Sequence, residues 1–138
     1  MNRNSECEAF SSDTSDLIVV CIVDDDSSVR RSLSNLLRSA GFDTLAFASG
    51  EDFLASPQAL GAGCALLDLK MQGLSGSDVQ KELIRLDNPL PVICMSAHWD
   101  DSALSESIRQ GAIACLSKPF TEEALLDAVE EATKGTRH

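Results

Sequence analysis

The chain has 138 residues, a length that favours one compact domain with enough chain for a hydrophobic core. Asp and Glu number 22 against 11 Lys and Arg, which gives a formal net charge of −11. This balance argues against direct binding of nucleic acid or anionic membranes by this chain. The basic residues Arg30, Arg31 and Arg38 of one predicted helix are interpreted as a solvated face. No apolar run approaches the length of a transmembrane helix.

The cysteines indicate a reducing compartment. There are five of them, an odd number with no CxxC pair, which fits no complete disulfide framework. They are Cys7, Cys21, Cys64, Cys94 and Cys115. All but the first lie in apolar runs, so we expect free thiols that pack as small hydrophobic groups. The polar, acidic residues 1–16 do not have the shape of a signal peptide, and we expect a cytoplasmic protein.

The first part of the chain predicts a tail, a strand and a helix. Residues 1–16 are rich in Ser, Thr, Asp and Glu and are expected to form a disordered tail. The apolar run at 17–23 predicts a buried strand. Apolar residues at helical spacing predict a helix over about 27–40, ended by Gly41. A short second strand is predicted at Asp43–Phe47.

The middle of the chain holds a brief helix and a third strand. Ser49 resembles the first residue of a capping box, so a short helix is expected to begin there and to end before Pro57. Small residues at 59–63 predict a loop that leads into the strand Cys64–Asp68. Residues 70–77 contain two glycines and predict another loop.

The last part continues the alternation of helices and strands. Helices are expected at 78–86 and 100–110, and strands are expected at 91–95 and 113–116. Thr121 then caps a final helix, which Gly135 ends. The order βαβαβαβαβα predicts one parallel sheet with helices on both faces.

Polar residues follow four of the predicted strands. Because α/β sheets bind ligands at the carboxyl ends of their strands, the side chains there are expected to converge. They are Asp24, Asp25, Asp68, Ser96 and Lys118. Carboxylates, a hydroxyl and an ammonium group together suit a divalent metal and a phosphoryl group.

The motifs at these strand ends resemble those of a known family. They are Val-Asp-Asp-Asp at 23–26, Leu-Asp-Leu-Lys-Met at 67–71 with Gly76, Met-Ser-Ala at 95–97 and Lys-Pro-Phe at 118–120. Over about residues 17–134 the chain resembles the CheY-like receiver domain of two-component response regulators, in the branch often joined to helix-turn-helix output domains. The resemblance implies a flavodoxin-like, doubly wound (βα)5 sandwich with a five-stranded parallel sheet. Residues 135–138 would be a C-terminal end or a linker stub.

The resemblance also implies a chemistry for the acidic residues. Asp68 would accept a phosphoryl group from the phosphohistidine of a sensor histidine kinase. The reaction would require Mg²⁺, or Mn²⁺, held by Asp24, Asp25, Asp68 and the backbone carbonyl of Lys70. Asp26 would not bind the metal. The chain would then be a phosphoacceptor signalling domain rather than an enzyme.

Further residues acquire roles from the same resemblance. Ser96, the backbone N–H of Ala97 and the side chain of Lys118 would bind the phosphoryl oxygens. A cis peptide bond before Pro119 would direct Lys118 toward Asp68.

Two positions depart from the family pattern. Gln72 stands where the family usually has Pro, and Cys115 stands where it usually has a ring that switches together with Ser96. Cysteine is too small to act as such a ring, so the relay is expected to be weaker or built differently. Lys70 and His98 occupy positions that tune the lifetime of the phosphate in the family.

The signal is expected to emerge on the last two helices and the last strand, residues about 100–134. The output would be the formation of a homodimer, the binding of a downstream protein or the control of a DNA-binding domain outside this chain, in the regulation of transcription.

Two other functions are considered. A haloacid-dehalogenase-like phosphatase would use Asp24 and Asp26, with Ser96 and Lys118 as its later motifs, but it leaves Asp68 without a role. The other function is that of a scaffold protein that has the same fold and is not phosphorylated.

Overall fold

A computed structural model describes residues 17–134 and contains five strands and six helices over that range. The strands are β1 Val19–Val23, β2 Asp43–Phe47, β3 Cys64–Asp68, β4 Val92–Ser96 and β5 Ala114–Ser117. The helices are α1 Ser27–Ser39, α2 Gly50–Leu54, α3 Pro57–Leu60, α4 Gly76–Arg85, α5 Asp101–Arg109 and α6 Glu122–Thr133. The predicted tail, Cys7 and the helix end at Gly135 lie outside the described residues.

All five strands pair in parallel, in the order β2-β1-β3-β4-β5. The chain passes from β1 outward to β2 and then returns to place β3 on the other side of β1. This reversal opens a crevice at the carboxyl ends of β1 and β3, where ligands bind in such sheets. The register places the carboxyl ends of neighbouring strands side by side. Val23 of β1 pairs with Leu67 of β3, and Ser96 of β4 pairs with Ser117 of β5. The predicted α/β fold is confirmed.

Two hydrophobic clusters cover the two faces of the sheet. Alternate strand residues point to opposite faces, so Ile22 belongs to one cluster and Val23 to the other. One cluster contains Leu37 of α1 and Val129 of α6. The other contains Val79 of α4 together with side chains of α2 and α3. The sheet is thereby held rigidly, and its edge residues have fixed positions.

The helices begin at polar caps, and these caps explain where the predicted bounds were wrong. The Ser75 hydroxyl and the Asp78 carboxylate form a capping box, so α4 begins at Gly76 rather than at residue 78. The loop predicted at 59–63 overlaps a short helix, because Ser56 caps α3 and Pro57 occupies its first turn.

Four cysteines are free thiols in the described residues, and three of them are buried. Burial raises the pKa of Cys21, Cys64 and Cys94 to about 12, which leaves these thiols protonated and unreactive at neutral pH. Cys115 is only partly buried.

Within residues 17–134, none of the helices has both the length and the apolar character that a membrane crossing requires.

Candidate functional site

Three carboxylates meet at the crevice between β1 and β3. One oxygen from each of Asp24, Asp25 and Asp68 lies within 4.8 Å of the others. Asp24 is fully buried and Asp68 is 7% exposed, whereas Asp25 is exposed. Hard divalent cations prefer oxygen ligands of this kind, so the three residues fit such an ion. The backbone of Lys70 lies in the same loop, two residues beyond Asp68.

Every polar group of Asp24 has a partner. Its N–H donates to the carbonyl of Phe47 at 3.1 Å, and its Oδ1 accepts from the N–H of Asp26 at 2.9 Å. Its Oδ2 accepts from Lys118 at 2.8 Å, and its carbonyl accepts from Nη1 of Arg30 at 2.7 Å. These contacts fix the buried carboxylate in one place.

Lys118 brings a positive charge to the same cluster. Its Nζ lies 2.8 Å from Asp24 Oδ2 and 3.5 Å from Asp68 Oδ2. Burial lowers the pKa of Lys118, but the hydrogen bond to Asp24 and the charges of both carboxylates outweigh it and raise the pKa above its ordinary value. The ammonium group therefore stays charged at neutral pH. The peptide bond to Pro119 is cis.

The electrostatics at Asp68 favour a further cation. Burial, followed by the negative charge of Asp24, raises the pKa of Asp68 above its ordinary value, although Lys118 and the N–H of Lys70 partly oppose this. That N–H lies 3.4 Å from Asp68 Oδ1. One ammonium group does not balance the acidic cluster, so added positive charge would stabilise the ionised form.

Ser96 ends β4 beside this cluster and is almost completely buried. Its hydroxyl donates to the carbonyl of His98 at 3.0 Å and accepts from the N–H of His98 at 3.1 Å. In this structure the hydroxyl is thus bonded to the loop that follows it. Ala97 and His98 are exposed at the rim of the site, as is Lys70.

An open groove of about 610 Å³ adjoins the site. Side chains of α1, including Val29 and Leu33, form one wall, and Pro119 and Phe120 form the other. Ala97 and Lys118 also line it. The groove therefore reaches the site at Ala97 and Lys118.

A close backbone contact supports the position of Asp68. A Cβ on Gly76, the first residue of α4, would lie 2.8 Å from the carbonyl oxygen of Asp68. Glycine therefore lets α4 begin directly against the end of β3.

Sequence reasoning missed the contacts that two residues make at the site. Arg30 was interpreted as part of a solvated face, yet its guanidinium binds the backbone of Asp24. Trp99 packs with Cys115 against one core cluster, and its Nε1 donates to the carbonyl of Leu116 at 3.0 Å. The available signal was that Trp99 is the single tryptophan of the chain and follows Ser96 by three positions.

Asp26 lies apart from the three-carboxylate cluster. Its carboxylate accepts from the N–H groups of Ser28 and Val29 and caps α1. The phosphatase alternative needs Asp24 and Asp26 to act together, and the geometry does not bring their carboxylates to one site.

Comparisons with known proteins agree with this geometry. Residues 20–130 match the family model of the response regulator receiver domain. Nodulation protein W of Bradyrhizobium diazoefficiens is 43% identical over 119 residues, which are 86% of this chain and 52% of that protein. The transcriptional regulatory protein FixJ of the same organism is 34% identical over 115 residues, or 83% of this chain and 56% of FixJ.

Solved structures give the same result. The structure of the response regulator StyR superposes on this chain with a TM-score of 0.79 at 39% identity. The aligned region covers 86% of this chain and 60% of the StyR chain. The FixJ-N structure superposes with a TM-score of 0.78 at 32% identity. Here the aligned region covers 85% of this chain and 94% of the FixJ-N chain. The chain spans about half the length of the curated relatives it matches. It belongs to the receiver domain family of two-component response regulators.

Proposed function

We propose that this chain accepts a phosphoryl group on Asp68 from the phosphohistidine of a sensor histidine kinase, in a reaction that requires Mg²⁺ or Mn²⁺. The observation that carries the proposal is the meeting of Asp24, Asp25 and Asp68 within 4.8 Å, with Lys118 beside two of them. Phosphoryl transfer depends mainly on positioning and charge neutralisation, and these side chains supply both.

The metal would be held by Asp24, Asp25, Asp68 and the backbone carbonyl of Lys70. When bound, it would neutralise the carboxylates and the oxygens of the incoming phosphoryl group. This assignment agrees with the raised pKa of Asp68, which records the cost of ionising a carboxyl group that is partly desolvated by burial and lies beside Asp24.

In the transfer step a carboxylate oxygen of Asp68 attacks the phosphorus atom, and the bond from phosphorus to the histidine nitrogen breaks. The imidazole leaves with the bonding electron pair, and an acyl phosphate forms. Lys118 compensates the charge of the phosphoryl oxygens, which the N–H of Ala97 and the hydroxyl of Ser96 also bind. The donor would approach through the groove beside α1, because Ala97 and Lys118 are open to it.

The signal would leave the site through Ser96. To donate to a phosphoryl oxygen, its hydroxyl must give up the hydrogen bond that it donates to the carbonyl of His98. The loop that carries Trp99 is then free to shift, and the indole contact with Leu116 changes with it. Trp99 would thereby replace the switching ring that the family usually has at the position of Cys115.

The affected surface is formed by α5, β5 and α6. It carries exposed apolar side chains such as Ile108 and Ile113. We propose that phosphorylation changes this surface for homodimerisation or for binding a downstream protein, in the control of transcription. Lys70 and His98 at the rim would set the lifetime of the phosphate.

The test is intact mass spectrometry after incubation with acetyl phosphate and Mg²⁺. We expect one phosphate adduct that is lost with EDTA and in the D68N variant. Hydrolysis of a phosphatase substrate that requires Asp24 but survives D68N would overturn the proposal. The absence of both an adduct and Mg²⁺ binding would favour a scaffold.

A further inference from the structure

Arg30 makes a specific contact with the backbone of the acidic loop. It lies in the first turn of α1, and its Nη1 donates to the carbonyl oxygen of Asp24 at 2.7 Å. The side chain belongs to a partly buried residue, whereas the neighbouring Arg31 is exposed. Two adjacent arginines of the same helix thus have different surroundings.

The contact constrains more than Asp24. The carbonyl of Asp24 and the N–H of Asp25 belong to one planar peptide unit, so holding the oxygen fixes the orientation of that plane. Asp25 is exposed, and its carboxylate accepts a long hydrogen bond of 3.4 Å from the N–H of Gln72. The position of the Asp25 carboxylate therefore depends strongly on its own backbone.

We infer that Arg30 is a positioning residue for the metal site: it holds the peptide unit between Asp24 and Asp25 so that both carboxylates face Asp68. A guanidinium suits this task, because it stays charged and its N–H groups have fixed directions in one plane. The part of the inference that concerns metal affinity rests on the proposed function.

A simple charge effect predicts the opposite result. Arg30 carries a positive charge close to the carboxylates, and such a charge repels a divalent cation. If charge alone mattered, Arg30→Gln would bind Mg²⁺ more tightly than the wild type. If Arg30 positions the loop, the same substitution weakens binding. The sign of the change separates the two explanations.

The experiment compares R30Q with R31Q, which removes the same charge from the exposed neighbour. Calorimetric titration with MgCl2 alone measures the affinity of the unphosphorylated protein. Hydrogen exchange of the Asp25 and Asp26 amides in EDTA reports the loop without metal. Thermal unfolding of each variant shows that it is folded.

We expect Mg²⁺ binding about fivefold weaker in R30Q, the effect of losing one net hydrogen bond, and faster exchange of the Asp26 amide. R31Q should bind Mg²⁺ as tightly as the wild type or slightly more tightly. Arg30→Lys, which keeps the charge and a donor, should recover part of the loss.

Wild-type or tighter Mg²⁺ affinity in R30Q would overturn the inference. If the wild type itself binds no Mg²⁺, the proposed function fails, and the exchange data alone decide whether Arg30 holds the loop. Unchanged exchange in R30Q would then overturn the positioning role, and faster exchange would support it.

Discussion

Lys118 is paired more closely with Asp24 than with the proposed phosphoacceptor, at 2.8 Å against 3.5 Å. The pairing joins the end of β1 to the residue after β5, 94 positions apart in sequence. Lys118 therefore has a structural role as the partner of a fully buried carboxylate, in addition to its proposed role at the site.

Lys118→Met should destabilise the domain by about 2–3 kcal/mol, because it leaves the buried charge of Asp24 without its partner. Urea denaturation measures the change. The double variant K118M/D24N should recover most of the loss, since the unpaired charge is gone. A double variant no more stable than K118M would show that the pairing is not the cause.

Asp25 and Asp26 are adjacent exposed acids with different contacts, so they form a matched pair. D25N should reduce Mg²⁺ affinity by about tenfold or more, because it removes a proposed ligand. D26N should keep Mg²⁺ affinity near that of the wild type and lose at most about 0.5 kcal/mol of stability, because asparagine caps α1 nearly as well as Asp26 and only the negative charge is lost. Calorimetry with MgCl2 and urea denaturation measure the two effects. Equal loss of Mg²⁺ binding in both variants would contradict the assigned ligands.

D68N should be more stable than the wild type at pH 7 without metal, by about 1 kcal/mol. The pKa of Asp68 is raised in the folded state, so the folded protein holds this proton more tightly than the unfolded chain. Ionisation therefore costs stability above the folded pKa, and no cost remains below the ordinary value near 4. The advantage of D68N should shrink as the pH falls toward 4. A pH series of urea midpoints in EDTA measures the difference, and a difference independent of pH would refute this account.

The emission of Trp99 should change when the domain is phosphorylated with acetyl phosphate. The proposed path runs from Ser96 through the His98 backbone to the indole, so S96A should still be phosphorylated but should lose most of the emission change. S117A is the control, because Ser117 is exposed and pairs with Ser96 across the strands. An emission change of wild-type size in phosphorylated S96A would rule out this path.

Gly76→Ala should destabilise the domain by about 1–3 kcal/mol, because the added Cβ would lie 2.8 Å from the carbonyl oxygen of Asp68. It should also slow phosphorylation, since the end of β3 must shift. Gly61→Ala is the control, because its Cβ would have no neighbour closer than 3.7 Å. Chemical denaturation and adduct formation rates measure both effects. Equal stability of the two variants would mean that the contact at Gly76 relaxes freely.

The sequence was sufficient to predict elements of secondary structure that a local residue pattern marks. The strands Asp43–Phe47 and Cys64–Asp68 have the predicted bounds. In the second strand, a short apolar run ends directly at Asp68. The convergence of Asp24, Asp68 and Lys118 followed from the parallel order of the strands, since such an order places all carboxyl ends at one edge.

Contacts made by long side chains were not predictable in the same way. Arg30 has the sequence context of a solvated helix face, and only its direction across the first turn of α1 brings it to Asp24. Trp99 lies in a loop without a periodic pattern, and its bond to Leu116 depends on how that loop folds over β5. The helix α3 was missed because the proline that ends one helix also begins the next.

The strand β5 differs from the other strands at the site in a way that bears on how a signal spreads. Strands β3 and β4 are buried along their whole length, whereas β5 lies at the edge of the sheet and none of its four residues is buried. The neighbouring α5 buries only Ser107. Local opening is easiest where few apolar contacts must be broken. Strand β5 and helix α5 are therefore the parts of the proposed output surface that open most easily, and phosphorylation of Asp68 would change how often they are open without loosening the core.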